Sequence, residues 1–285
     1  MRKLNFKKYY LPVVLIIISL VVIRKCSFHS LPEERLHFFK LNIEESYSDN
    51  EYQLKLYNPV NCPSRFILSC DDESANDIVS NYSPLLLDAK SDTSISIKGK
   101  GNLKGKIKIR LKLGNPALRV QEKNIEALPY PKGKSYELLQ GNNSNPTHNH
   151  KVSRYAFDFT MKIGDTITSS QNGFVVGVIE GYKGWGNSSR WKPYSNQVMI
   201  YDTASHLFTM YGHLKQFGCL VELGEYVTIG QPIALSGKTG QTSEEHLHFN
   251  VLKADSKTGK LISYPLDSIG NYKVKELKRH QMMEN

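Results

Sequence analysis

His246-Leu247-His248-Phe249 decides the reading of this chain. On a strand, residues two apart point to one face. His246 and His248 then project together into one cleft, and Leu247 and Phe249 turn toward a core. Two imidazoles so placed can divide labour, one holding a metal and the other reaching what the metal binds. A lone His-x-His is more often a pair on a solvated strand face, so the weight falls on what precedes it.

Tyr211-Gly212-His213-Leu214 closes a hairpin-like stretch: a strand-like run from Gln197 to Tyr201, a turn at Asp202 to Ser205, and a second run from Leu207 to Tyr211. Further upstream, Tyr155-Ala156-Phe157-Asp158-Phe159 alternates around a single carboxylate. Just before it stands Thr147-His148-Asn149-His150. Imidazole nitrogens and a carboxylate oxygen are donors that zinc accepts, and a catalytic zinc keeps three protein ligands and one open position. No His-Glu-x-x-His occurs, so the helix-borne glutamate of one large class of zinc peptidases is absent.

These motifs carry a resemblance. From about Lys132 to Leu266 the chain resembles the LytM/lysostaphin-type zinc metallopeptidases, peptidase family M23. The first metal motif of one subgroup, Gln-Gly, a gap, His, a gap, then Tyr-Ala-x-Asp-Phe, is matched by Gln140-Gly141, His148 and Tyr155 to Phe159. Gly164-Asp165-Thr166-Ile167 with Asn172-Gly173-Phe174-Val175, and Gly224-Glu225-Tyr226-Val227 with Gly230-Gln231-Pro232-Ile233, are similar to the family's glycine turns. Ser236-Gly237-Lys238-Thr239-Gly240 leads into the His-Leu-His-Phe block as it does in the family.

The resemblance implies roles. His148, Asp158 and His248 align with the zinc ligands, one zinc per chain, and His213 and His246 with the two catalytic histidines that do not bind metal. Those two would serve the water and the oxyanion, because an imidazole titrates near the working pH. His150 stands close enough to His148 to be the ligand in its place. The chain departs from the pattern at three points. The interval from His148 to Asp158 is longer than the short form of the motif, Glu244-Glu245 replace small residues, and Asn250 replaces the common Glu after Phe249.

Composition bounds the rest. The net charge of +10 includes Arg2, Lys3, Lys7, Lys8, Arg24 and Lys25, all before residue 26, and the remainder is only modestly basic. No nucleic-acid motif is present, so no nucleic-acid partner is expected. Leu11 to Ile23 is apolar apart from Pro12 and Ser19 and follows a basic tip, the plan of an export signal. No small-x-small site follows, and Arg24-Lys25 precede Cys26, so an uncleaved membrane anchor is favoured over a cleaved signal. With Tyr9 and Tyr10 the run reaches roughly 22 Å as a helix, and flanking Lys8, Arg24 and Lys25 can extend it by snorkelling.

Between anchor and peptidase-like region, Tyr52, Leu54 and Leu56 alternate with polar residues, and Lys106 to Leu113 alternates strictly with a basic outer face. That face could meet an anionic polymer or a membrane surface, although a solvated face is its commoner meaning. Cys62 and Cys70 flank a short segment, and an oxidising compartment would permit a disulfide between them. Gly181 to Ser195 carries Trp185, Trp191 and Tyr194, either a wall that stacks on substrate or a surface loop pinned by its own aromatics.

The expectation is an all-β chain: a basic tip and anchor helix over 1–30, a small β-sandwich-like domain over 31–120, an M23-type β-sheet peptidase domain over 121–270, and a polar tail over 271–285. The resemblance implies a zinc endopeptidase anchored in the cytoplasmic membrane. It would act outside the cytoplasm on peptidoglycan peptide stems. The alternative is an inactive LytM-like domain that binds cell wall or activates another hydrolase.

Overall fold

The computed structural model describes residues 30–120 and 122–285. The expected anchor lies outside the described residues. Among those described, no helix is long and apolar enough to cross a membrane.

The N-terminal module is built from two three-stranded antiparallel sheets. One orders Ile43–Ser48, Glu51–Tyr57 and Asp92–Lys98; the other orders Leu85–Leu87, Ser64–Cys70 and Ile107–Leu113. The alternation read from sequence sets the inner face: Tyr52, Leu54 and Leu56 are buried while Gln53, Lys55 and Tyr57 face out. They pack with Phe66, Leu68, Ile95 and Ile97, and with Ala75 and Val79 from the helix Glu73–Ser80. Asp72 caps that helix by accepting from the Ser74 amide at 3.1 Å. On the basic strand, Lys108 meets Asp71 at 2.5 Å, and Lys106, just before it, meets Asp72 at 3.2 Å. Part of the positive face is thus neutralised within the module.

The expected disulfide does not form. Cys62 and Cys70 are both free thiols. Cys70 ends the strand Ser64–Cys70, whose seven residues span roughly 20 Å at ~3.3 Å each, and Cys62 stands two residues before it begins. A disulfide needs Cα atoms within about 7 Å. Eight residues make a short loop only if the chain turns, and here it runs straight.

The C-terminal region centres on a nine-stranded sheet. Its antiparallel order is Tyr226–Val227, Gly173–Ile179, Gln197–Tyr201, Phe208–Gly212, Leu247–Ala254, Phe157–Phe159, Ser135–Gln140 and Met282–Glu284, with Leu261–Ser263 also paired to Leu247–Ala254. The 271–285 segment, expected as a polar tail, supplies the last of these strands, and Met283 is fully buried there. A smaller sheet of Thr166–Thr168, Pro232–Ser236 and Leu214–Cys219 contributes Ile167, Leu214, Ile233 and Ala234 to the same core.

Register fixes which residues share a face, because directly opposed side chains lie together. Phe157, Tyr211, Leu247, Phe249 and Val251 point into the core between the sheets. Asp158, His248, Asn250 and Leu252 take the other face by alternation. At the far end of that second face Leu252, Phe208, Met199 and Tyr201 meet Val60, Cys62 and Leu113 of the N-terminal module. Arg65, 6% exposed, crosses the junction: its guanidinium donates to the carbonyls of Gly114, Leu113 and Asp255 at 3.0, 3.3 and 3.3 Å.

Candidate metal centre

The free end of that second face carries the histidines. His248 lies directly opposite Asp158 on one neighbouring strand and opposite Gly212 on the other. His246, two residues earlier, projects the same way, as the spacing predicted. Gln140 lies opposite Asp158 on the next strand and holds the loop that follows. Its amide donates to the Ser144 carbonyl at 3.2 Å, and its oxygen accepts from the Thr147 hydroxyl at 3.3 Å. That loop delivers His148.

His213 reaches the group by a different route. Strict alternation after Tyr211 would send it into the core. Its φ of +63° ends the strand and swings the ring to the other side. A non-glycine residue in the left-handed region is uncommon and costs energy, and such strain concentrates at functional sites. Ser195 holds the turn by accepting from the His213 amide at 3.0 Å.

Three of the four rings are fixed by a backbone carbonyl. Nδ1 of His148 lies 3.0 Å from Gly141 O, Nδ1 of His213 lies 2.7 Å from Thr239 O, and Nδ1 of His246 lies 3.0 Å from Glu244 O. A carbonyl only accepts, so each Nδ1 carries the proton and each Nε2 is left with its lone pair. His248 is turned the other way, with Nδ1 2.8 Å from Asp158 Oδ1. Nε2 of His148 is 3.2 Å from Asp158 Oδ2, and Nε2 of His246 is 3.9 Å from Oδ1. The His213 and His246 rings stack edge to face with centroids 4.6 Å apart.

Among the described residues, His148, Asp158 and His248 form the group whose donor atoms all lie within 4.8 Å of one another. The residues fit a metal ion. Nε2 of His148 is buried with no hydrogen-bond partner, since its lone pair faces another acceptor, Asp158 Oδ2, at 3.2 Å. A buried unpaired nitrogen costs free energy, and a cation that accepts its lone pair removes the penalty. Burial alone would raise the Asp158 carboxyl, but the imidazoles of His246, His148 and His248 hold it well below the usual carboxylate range. Burial, aided by its histidine neighbours, pushes His213 down to about 3, so it is neutral near pH 7. His248 is lowered by burial as well. For His148 burial works downward, and the adjacent Asp158 outweighs it to give a net rise.

The structure separates His148 from His150: the former is fully buried in the cluster, the latter exposed on the loop. His37 is exposed in the N-terminal segment, His206 contacts Tyr201 and His280 contacts Glu137, all apart from the cluster.

Residues 152–260 match the family model described as peptidase family M23. Over these residues the chain is similar to that family. Asp158, His213, His246 and His248 fall inside the M23 match, and His148 stands four residues before it. The peptidoglycan DD-endopeptidase ShyB of Vibrio cholerae is 33% identical over 128 residues, 43% of this chain and 27% of that protein. Lysostaphin of Staphylococcus simulans is 33% identical over 95 residues, 33% of this chain and 17% of that protein. The solved structure of lysostaphin from Staphylococcus simulans is 26% identical over 45% of this chain and 47% of that chain, with a TM-score of 0.34. The chain spans about a quarter of the length of the curated DD-endopeptidases it matches.

The aromatic loop beside the histidine cluster is held by its own side chains. Trp191 and Tyr194 turn inward and pack with Tyr182 and Ile179. Trp185 is half-buried, with the Lys238 ammonium 3.9 Å from its ring centroid. Asn196, fully buried, ties this loop to His213, and side-chain chemistry alone gave no reason to single it out. Its amide donates to Tyr182 O at 2.7 Å and Leu214 O at 3.3 Å, and its oxygen accepts from Tyr182 N at 2.9 Å.

Proposed function

We propose that this chain is a zinc-dependent endopeptidase that hydrolyses peptide cross-links of peptidoglycan. The observation that carries the reading is the His148, Asp158 and His248 set, two of them buried and the third half-buried, with two further histidines beside it. The names of the relatives, peptidoglycan DD-endopeptidases among them, support the substrate class. On this reading the catalytic domain acts outside the cytoplasm and the N-terminal segment anchors it to the membrane.

His148 through Nε2, Asp158 through a carboxylate oxygen and His248 through Nδ1 would hold one zinc ion. When bound, zinc supplies Lewis acidity to the scissile carbonyl and to the attacking water. His213 is neutral and keeps its Nε2 lone pair, so it accepts a hydrogen bond from the water and orients it. His246, with Nδ1 anchored on Glu244, presents Nε2 to take up a proton or to donate to the developing oxyanion. The carbonyl tethers keep both rings in one orientation before substrate arrives.

Elemental analysis of the purified chain should find one zinc. His148→Ala, Asp158→Ala and His248→Ala should lose it, and His150→Ala should retain both zinc and activity. His213→Ala and His246→Ala should keep zinc and lose about 10²–10³ in turnover on purified cell wall. A zinc-loaded wild type that cleaves neither cell wall nor model peptides would replace this reading with a binding or activator domain.

A further inference from the structure

Two departures from the family pattern meet in space. The long interval between His148 and Asp158 puts residues 149–155 on the surface as a loop, and the Asn in place of the common Glu is at position 250. Asn250 follows His248 by two residues on the same sheet face. It is fully buried, and its amide donates to the Val152 carbonyl at 2.8 Å. Its oxygen accepts from the Ser263 hydroxyl at 2.7 Å. The Ser263 oxygen in turn accepts from the Tyr155 amide at 2.9 Å, and the Ser263 amide donates to the Lys151 carbonyl at 2.9 Å.

Three backbone groups of the loop, at 151, 152 and 155, are therefore bound by two side chains and one amide on adjacent strands. The loop's other bonds run to its own N-terminal flank: Ser153 Oγ donates to Thr147 O and the Asn143 amide donates to Arg154 O, both at 2.7 Å. Val152 is 50% exposed, and Lys151 and Arg154 face solvent. Hydrogen bonds rather than apolar burial set its path. A carboxylate at position 250 has no proton for the Val152 carbonyl and would set charge against it, whereas the Asn amide supplies the donor.

We infer that Asn250 and Ser263 are positioning residues that fix the loop joining His148 to Asp158, so that the longer interval and the exchanged residue are one adaptation. The inference rests on the metal-site reading above. The two ligands lie at either end of the loop, and His148 finds its place only if the loop returns at the right height above the sheet. Ligand orientation of this indirect kind typically contributes 10–100-fold to metal affinity.

Zinc affinity of the full chain, measured by competition with a chelator, tests this alongside the melting temperature of the metal-free protein. Asn250→Ala and Ser263→Ala should each weaken zinc binding by about 10–100-fold. The double variant should be little worse than the weaker single one, because both belong to one chain of hydrogen bonds. Asn250→Asp keeps the shape and the acceptor for Ser263 but loses the donor to Val152, and it should weaken zinc as Asn250→Ala does. Met283→Ala, a core truncation at the far edge of the sheet, should lower the melting temperature and leave zinc affinity alone. Unchanged zinc affinity in Asn250→Ala and Asn250→Asp, with wild type binding normally, overturns the inference and leaves the metal site standing. A wild type that takes up no zinc overturns the metal site itself.

Discussion

Asn196→Ala tests how the cleft is assembled. The side chain makes three hydrogen bonds in a fully buried position. Truncation strands the amide and carbonyl of Tyr182, which is itself buried, while Leu214 O retains the Thr239 hydroxyl at 2.9 Å. Each buried orphan costs about 1–3 kcal/mol, so the loss should be about 2–6 kcal/mol. At ~2–4 °C per kcal/mol for a chain of this size, the melting temperature should fall by roughly 5–20 °C. Urea unfolding followed by fluorescence measures the loss directly. Turnover should fall too, because the Asn196 side chain ties Tyr182 to the Leu214 carbonyl next to His213, a tie that the retained backbone N–H to Thr239 Oγ1 does not replace. Zinc content should not change, since none of these bonds touches His148, Asp158 or His248. A stability loss below about 1 kcal/mol, or zinc lost in step with turnover, would refute the account of Asn196 as the knot behind His213.

Two other outcomes are expected. Cys62 and Cys70 should both alkylate in the unfolded chain without reductant; in the native state Cys62, its thiol pushed up to about 12 by burial, should resist. A Cys62–Cys70 linked peptide in the mass spectrum would contradict the strand geometry. The metal-free protein should lose stability as pH falls below about 6.5. His213 binds its proton in the folded state only near 3, so between those values the unfolded chain holds more protons and acid favours unfolding. His248 acts in the same direction, whereas the raised His148 contributes stability that is present below 6.5 and fades at higher pH. His213→Asn should flatten the acid limb by up to about one proton, or 1.4 kcal/mol per pH unit, and an unaltered slope would count against the shift.

The site was legible where period-two geometry governs it. His246, His248 and Asp158 share a face because strand alternation and register leave no other option. Tyr52, Leu54 and Leu56 form the inner face of the module for the same reason. His213 was recognised only through resemblance, because its place depends on a backbone angle that breaks the alternation. The carbonyls of Gly141, Thr239 and Glu244 orient three rings, and no side-chain reading reveals them. Cys62 and Cys70 misled because sequence separation says nothing about whether the chain turns between them. Which of His148 and His150 enters the cluster likewise depends on the loop path, held at its start by Gln140.

The apolar junction on the sheet also determines where the chain can be cut. Val60, Cys62 and Leu113 cover Met199, Tyr201, Phe208 and Leu252, and Arg65 is satisfied only by carbonyls gathered from both sides of the junction. A fragment trimmed to the M23 boundaries would present that uncovered strip to water, on the very face that carries the histidines. The smallest piece worth expressing is therefore larger than the family's own limits, and its melting curve should show one step rather than two.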